Sequence, residues 1–265
     1  MHDSAATVLA ITFTFLLAGM VKGVIGMGLP ILAMGLLALV MPPVQAAALL
    51  VVPSMVTNVW QLVAGPSFIV LLRRFSTMMV TIILGTFAGI GLLTGGGGAM
   101  ATAILGAVLA AYAIVGLRAT RFVISNQSER WLSPAVGLFT GVLTGATGVF
   151  AIPAVPYFNS LGLQKEDLIQ TLGLSFTVST LALAVGLLAN GKFELTVATS
   201  SLLALLPALG GMFLGQRVRN RLKPELFRRW FFIGLLILGA YMVVRALAGG
   251  SGATLGSLWT EHRSA

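Results

Sequence analysis

Apolar residues along this chain fall into eight long runs, at about 5–41, 44–65, 76–95, 99–118, 132–160, 167–189, 193–215 and 226–248, with short polar or basic connections between them. A run of about 20 apolar residues is what a helix needs to cross a hydrocarbon core about 30 Å thick. The first run does not fit that length. Its 37 residues, Ala5 to Met41, would make one helix about 55 Å long, so the pattern predicts a break inside it. Gly23, Gly26, Gly28 and Pro30 supply the means: open backbone geometry and a missing N–H donor. Irregular backbone at membrane depth survives only where protein or a water-filled cavity covers it. Lys22 stands at the break and is the only charge between Asp3 and Arg73. This stretch is therefore expected to be a binding site.

The fifth run repeats the design. Gly19-Met-Val-Lys-Gly-Val-Ile-Gly aligns with Gly141-Val-Leu-Thr-Gly-Ala-Thr-Gly, which matches Gly19, Gly23 and Gly26 with Gly141, Gly145 and Gly148. Pro30 and Pro153 fall one position apart, and Gly85-xxx-Gly89 meets Gly211-xxx-Gly215 in the third run of each half. The expected fold is an all-α polytopic membrane protein, one transport domain over 1–265. It would consist of two repeats, 5–118 and 132–248, joined by a linker at 119–131. Each repeat would be a glycine-broken helical hairpin plus three transmembrane helices.

Composition agrees: 57% of residues are hydrophobic and 9% charged, with mean hydropathy +1.00. A soluble domain of this size needs more charge on its surface. The net charge of +9 would suggest nucleic acid in a soluble chain, but the basic residues lie between apolar runs, where they set topology and meet anionic lipid. If each over-long run returns to the face it entered from, one face receives Lys192, Arg245 and Arg263. The other receives Arg73, Arg74, Arg118, Arg121, Arg130, Lys165 and the cluster Arg217, Arg219, Arg221, Lys223, Arg228, Arg229. The positive-inside rule makes that second face cytoplasmic and both termini periplasmic. A single crossing per long run would put Arg217 to Arg229 opposite Arg73 and Arg118, against the rule. Two crossings per long run give the same sides as the hairpin, and charge does not separate these two. In both, the halves are inverted relative to each other. Trp131 and Trp230 sit beside the basic loops, as interface anchors should. Met1-His-Asp-Ser has no basic n-region and leads into a run far beyond leader length, so no cleaved leader is expected.

The two glycine-rich breaks, each followed by proline, resemble those of the TauE/SafE family of sulfite exporters, also called the four-toluene-sulfonate uptake permease superfamily. The residues carrying this are Gly19-Met-Val-Lys-Gly-Val-Ile-Gly-Met-Gly-Leu-Pro30 and Gly141-Val-Leu-Thr-Gly-Ala-Thr-Gly-Val-Phe-Ala-Ile-Pro153. The resemblance covers essentially the whole chain. It implies movement of sulfite, sulfonates or related small organosulfur anions across a bacterial inner membrane. One departure is Val149-Phe150, where a run of glycines would be typical.

An oxyanion site in a membrane needs donors, and broken helices present free N–H groups at the positive end of a helix dipole. This makes Gly23, Gly26, Gly28, Gly145 and Gly148 candidate ligand contacts, with close helix packing as their alternative role. Gly85, Gly89, Gly211 and Gly215 are assigned to packing. Lys22 could neutralise the anion or snorkel to the interface; its repeat counterpart is Thr144. Asn58 and Gln61 share one helix face, and Ser175, Thr177, Ser179 and Thr180 occupy the equivalent region of the second half, Ser179 aligning with Asn58. Thr147 lies in the second break. Trp60 is expected to face lipid or pack. No carboxylate is placed deep in a span: Asp3, Glu129, Glu166, Asp167, Glu194, Glu225 and Glu261 fall in loops, at span ends or at termini. With no cysteine and no acid–base pair, metal cluster or triad within reach, an enzyme is not expected, and no cofactor, metal or nucleic-acid partner. The expected partners are a small anionic substrate (sulfite or a sulfonate) and the lipid bilayer, with homo-oligomerisation open. The expected function is a secondary transporter of small sulfur oxyanions; the alternative is a passive anion channel or a membrane-embedded accessory subunit.

Overall fold

The glycines of the first run do break it. The structure, a computed structural model, describes residues 2–95, 98–118, 124–219 and 224–261. Helix α1 (His2–Ile25) ends where Gly26 and Gly28 take φ of 85° and 110°, a region closed to most side chains. Helix α2 (Leu29–Leu37) then sets off with Pro30 in its first turn, where the missing N–H costs nothing. The remaining helices are α3 (Pro43–Val63), α4 (Phe68–Arg74), α5 (Ser76–Thr94), α6 (Gly98–Arg118), α7 (Asn126–Thr147), α8 (Ala154–Asn159), α9 (Lys165–Ala189), α10 (Leu195–Arg219) and α11 (Pro224–Glu261). There is no strand among the described residues. The short α4 lies beyond the second apolar run and was not expected. Helix α7 starts inside the expected linker, with Ser125 capping it by accepting the Ser128 N–H at 3.3 Å; residues 119–123 of that linker lie outside the described residues.

Among the described residues, seven helices (α1, α3, α5, α6, α9, α10 and α11) are long and apolar enough to cross a membrane. Leu9, Leu84, Leu203, Leu206, Val244 and Leu247 on these helices are exposed, as lipid-facing side chains would be. Trp60, Trp131 and Trp230 are also outward. Helix α7 is of similar length, but Glu129 and Arg130 fall near its start. The Ile124 N–H donates to the Ser160 carbonyl at 3.1 Å, so the α7–α8 segment returns to the face it left.

Two parallel crossings tie the early and late parts of the chain together. On α1, a Cβ at Gly19 or Gly23 would overlap the Ala208 or Met212 carbonyl of α10; in return, Gly211 and Gly215 press on the Leu16 and Met20 carbonyls. Helices α5 and α7 repeat this: Gly85 and Gly89 meet the Leu138 and Val142 carbonyls, and Gly141 and Gly145 meet those of Ile82 and Thr86. Small residues spaced by four let the backbones approach this closely. The other two seams are antiparallel. Gly65 lies by Gln170, Gly173 by Leu62, and Asn58 by Thr180 along α3 and α9, while Gly106 meets Gly239 and Gly116 meets Phe232 along α6 and α11.

Pro53, inside α3, has no N–H to give the Leu49 carbonyl. Ser201 of α10 replaces it, donating to Leu49 O at 2.7 Å and accepting the Val52 N–H at 3.1 Å. Gln170 does similar work at the end of α3: its Nε2 donates to the Leu62 and Gly65 carbonyls, at 2.7 and 2.6 Å, and its Oε1 accepts the Ser67 N–H at 2.8 Å. Thr94 Oγ1 donates to Asn190 Oδ1 at 3.4 Å and Arg245 Nη1 to Leu39 O at 3.2 Å, so the end of α5 meets the end of α9, and the turn after α2 meets α11. Arg73, Arg74 and Arg130 line a cavity on what is here termed the basic face.

Candidate functional site

The last turn of α1 carries Lys22 into a polar cluster rather than to an interface. Its Nζ donates to Thr57 Oγ1 at 3.0 Å and to Asn58 Oδ1 at 2.5 Å, and only 3% of the residue is exposed. Thr57 passes its own proton to the Pro53 carbonyl at 2.8 Å, so its oxygen is free to accept. Asn58 then uses Nδ2 to donate to Thr180 Oγ1 of α9 at 3.2 Å. Thr180 comes 15 residues after Lys165 and 9 before Ala189, about 22 Å and about 14 Å along the helix axis. The cluster is thus well inside the spans. Snorkelling of Lys22 is not what the structure has.

Gln61, one turn beyond Asn58, donates Nε2 to the Gly26 carbonyl at 2.6 Å, one of the carbonyls left over where α1 ends. Its Oε1 is buried with no partner. Beside Gly26 there is room: a Cβ there would meet nothing within 4 Å, while one at Gly28 would touch Val21 and Phe231. Lys22 makes no ion pair among the described residues; both of its acceptors are neutral. An ammonium has three protons to donate, and these two bonds leave one. A buried lysine without an anionic partner among the described residues, an open glycine turn and a leftover amide oxygen therefore share one place.

The second break is built otherwise. Gly148 takes φ 72° and closes α7 by donating to the Thr144 carbonyl at 2.8 Å, and its Cα faces Ala47 and Met34. Phe150 is fully buried and packs on Phe176 of α9, ring centroids 5.2 Å apart. Thr144 and Thr147 donate to carbonyls of their own helix, Thr140 O at 2.7 Å and Leu143 O at 2.6 Å. Gly23 and Gly145 serve the helix crossings, because each presses on a carbonyl of α10 or α5. Thr144, Thr147 and Gly148 do not join the Lys22 cluster. Thr177 is half-buried and donates to Gly173 O at 2.7 Å, whereas Ser175 and Ser179 are fully buried with no hydrogen-bond partner. Lys22, Gly26, Asn58 and Gln61 are brought together. Thr57 was missed, although its place beside Asn58 on a helix facing the break was a usable signal.

A family model described as sulfite exporter TauE/SafE matches residues 11–242. The chain belongs to that family. No curated protein and no solved structure matches it significantly. Membership of TauE/SafE makes this a membrane protein of a transporter family for sulfite or related anions, and not an enzyme family. The match takes in both breaks and every helix that shapes the Lys22 cluster.

At the basic face this TauE/SafE protein has a cavity of about 880 Å³, lined by Arg73, Arg74, Arg130, Ser133, Gln164 and Asp167 among others. Arg74 of α4 holds Glu129 of α7 in a two-pronged pair, Nε to Oε1 and Nη2 to Oε2, both 2.7 Å. The Glu129 hydrogen bond pushes the Arg74 pKa still higher, so the guanidinium stays charged at any physiological pH.

Proposed function

We propose that the chain is a secondary transporter of small sulfur-containing oxyanions, sulfite or organosulfonates, with its binding site at the first break. The observation that carries this is Lys22: a lysine within the spans whose bonded partners among the described residues are neutral, which as an ammonium has one N–H to spare, with open space at Gly26 beside it. An anion in that space would neutralise Lys22, accept its third proton, and lie at the start of α2, whose leading N–H groups have no intrahelical acceptors. Asn58 and Thr57 fix the ammonium, and Gln61 holds the glycine turn.

The transport cycle we infer is alternating access by two inverted halves, 5–118 and 132–248. The reciprocal α1–α10 and α5–α7 crossings and the antiparallel α3–α9 and α6–α11 seams support it, because exchanging the two halves maps each of these contacts onto another of the same kind or onto itself. The membrane is a bacterial inner membrane, with the basic face cytoplasmic and both termini periplasmic.

The test is thermal unfolding of the purified protein against sulfite, sulfate, thiosulfate, taurine, sulfoacetate, acetate and chloride. A ligand at 100 times its Kd adds about 2.7 kcal/mol to apparent stability. We expect selective stabilisation by a sulfur oxyanion, lost in Lys22→Ala. Equal response to all anions, or a response that Lys22→Ala retains, would refute the site and favour an anion channel or an accessory subunit.

A further inference from the structure

Helix α9 treats its hydroxyl groups in two ways. Thr177 and Thr180 donate to carbonyls four residues back, both at 2.7 Å, the usual resolution for a hydroxyl on a membrane helix. Thr171, Ser175 and Ser179 do not: all three are fully buried and none has a hydrogen-bond partner among the described residues. Unpaired buried hydroxyls are costly, and three on one helix call for a common explanation.

Their spacing supplies it. Positions 171, 175 and 179 follow one another at four-residue steps, and the step before them is Asp167, which lines the cavity at the basic face. Each step rises about 6 Å, close to the span of hydroxyl, water and hydroxyl joined by two bonds of about 2.8 Å. The stripe descends about 12 Å from Thr171 to Ser179. Ser179 is next to Thr180, whose hydroxyl is bonded to Asn58 of the Lys22 cluster. Helix α7, which packs on α5 and starts at the same face, carries a similar pair of residues. Ser133 lines the same cavity, and Thr140, seven residues further, is fully buried with an unpartnered hydroxyl.

We propose that Thr171, Ser175 and Ser179 line a hydrated path from the basic-face cavity down to the depth of the Lys22 cluster. Water molecules bridge successive hydroxyls, and the path is the route by which a hydrophilic solute reaches the membrane interior from that face. Its hydration stands on the hydroxyls alone; only its destination rests on the function proposed above.

The absence of cysteine from the chain makes the test direct. Thr171→Cys, Ser175→Cys and Ser179→Cys would be made singly, with Leu174→Cys as a buried apolar control on the same helix. Each would be placed in nanodiscs and its reaction rate with a small charged methanethiosulfonate measured. We expect the three stripe positions to react at least tenfold faster than Leu174→Cys, in the order 171, 175, 179. Rates no faster than the control overturn the path, as does the reverse order. Methanesulfonate, which does not react with thiols, is then added. Slower labelling at 179 than without it supports the destination; unchanged labelling leaves the path standing and refutes the Lys22 cluster as its sulfonate-binding end. If one variant fails to fold, the other two still decide the ranking against the control.

Discussion

The two helix breaks share a glycine spacing but are built differently. At the first, a buried lysine, an asparagine, a threonine and a glutamine surround a glycine turn with open space beside it. At the second, threonine stands in the lysine's place, its hydroxyl spent on its own helix, and Phe150 fills the interior against Phe176. The glycines at equivalent positions, Gly23 and Gly145, do the same job in both, namely close contact with a neighbouring helix. What sets the two breaks apart is therefore not glycine content but the polar groups that converge on the first turn.

That contrast can be broken most severely by making the second break resemble the first. Thr144→Lys would bury an ammonium where Thr144 is now fully enclosed, and an uncompensated buried charge costs about 3–5 kcal/mol. The expected result is loss of most folded protein in a size-exclusion assay after extraction. Phe150→Ala should come next, with about 3–4 kcal/mol of stability lost by emptying a packed site. Sulfite flux per folded molecule should stay within about twofold, as befits packing rather than binding. Lys22→Met should behave in the opposite way. Stability is held or raised because a buried charge is removed, while loss of a charged hydrogen bond worth about 1.5–3 kcal/mol lowers apparent substrate affinity about 10- to 100-fold, read from flux into proteoliposomes. Thr147→Val should be the mildest. It removes one bond to the Leu143 carbonyl and the acceptor for the Val149 N–H at 3.2 Å, about 1 kcal/mol in thermal unfolding, with flux unaltered. If Phe150→Ala cut flux as deeply as Lys22→Met, the distinction between the two breaks would fail.

Much of this was legible in the residues. The 37-residue first run had to break, and Gly26, Gly28 and Pro30 marked the place; the return of the α7–α8 segment followed from where the arginines lie. Lys22, Asn58 and Gln61 stood out as the polar groups nearest the break. What could not be read was rotation about helix axes. Gly23 and Gly26 are three apart, yet one is clamped against α10 and the other faces open space, because Gly23 lies within α1 while Gly26 follows its end. The same limit hid the split on α9, where Thr177 and Ser179 look alike in sequence but only one spends its hydroxyl on the backbone. The bonds from Ser201 to Leu49 and from Gln170 to the end of α3 join residues more than 100 apart, and no local pattern announces them. Phe150 was visible as a departure from a glycine run; its stacking on Phe176 explains it.

The α1–α10 crossing has a consequence for how this protein is made. Gly19 seats on the Ala208 carbonyl, and the two are separated by 189 residues. At about 5–20 residues per second, the ribosome finishes α1 roughly 10–40 s before its partner exists. During that interval the glycine face of α1, and the lysine beside it, must wait in the bilayer or against the insertion machinery. Helices α5 and α7 wait less: Gly85 and Leu138 are 53 residues apart, roughly 3–11 s at the same rate. Of the described helices α1 is therefore made before the others and is among the last to find its place, and a nascent chain halted before α10 should hold α1 in a state that the finished protein never shows.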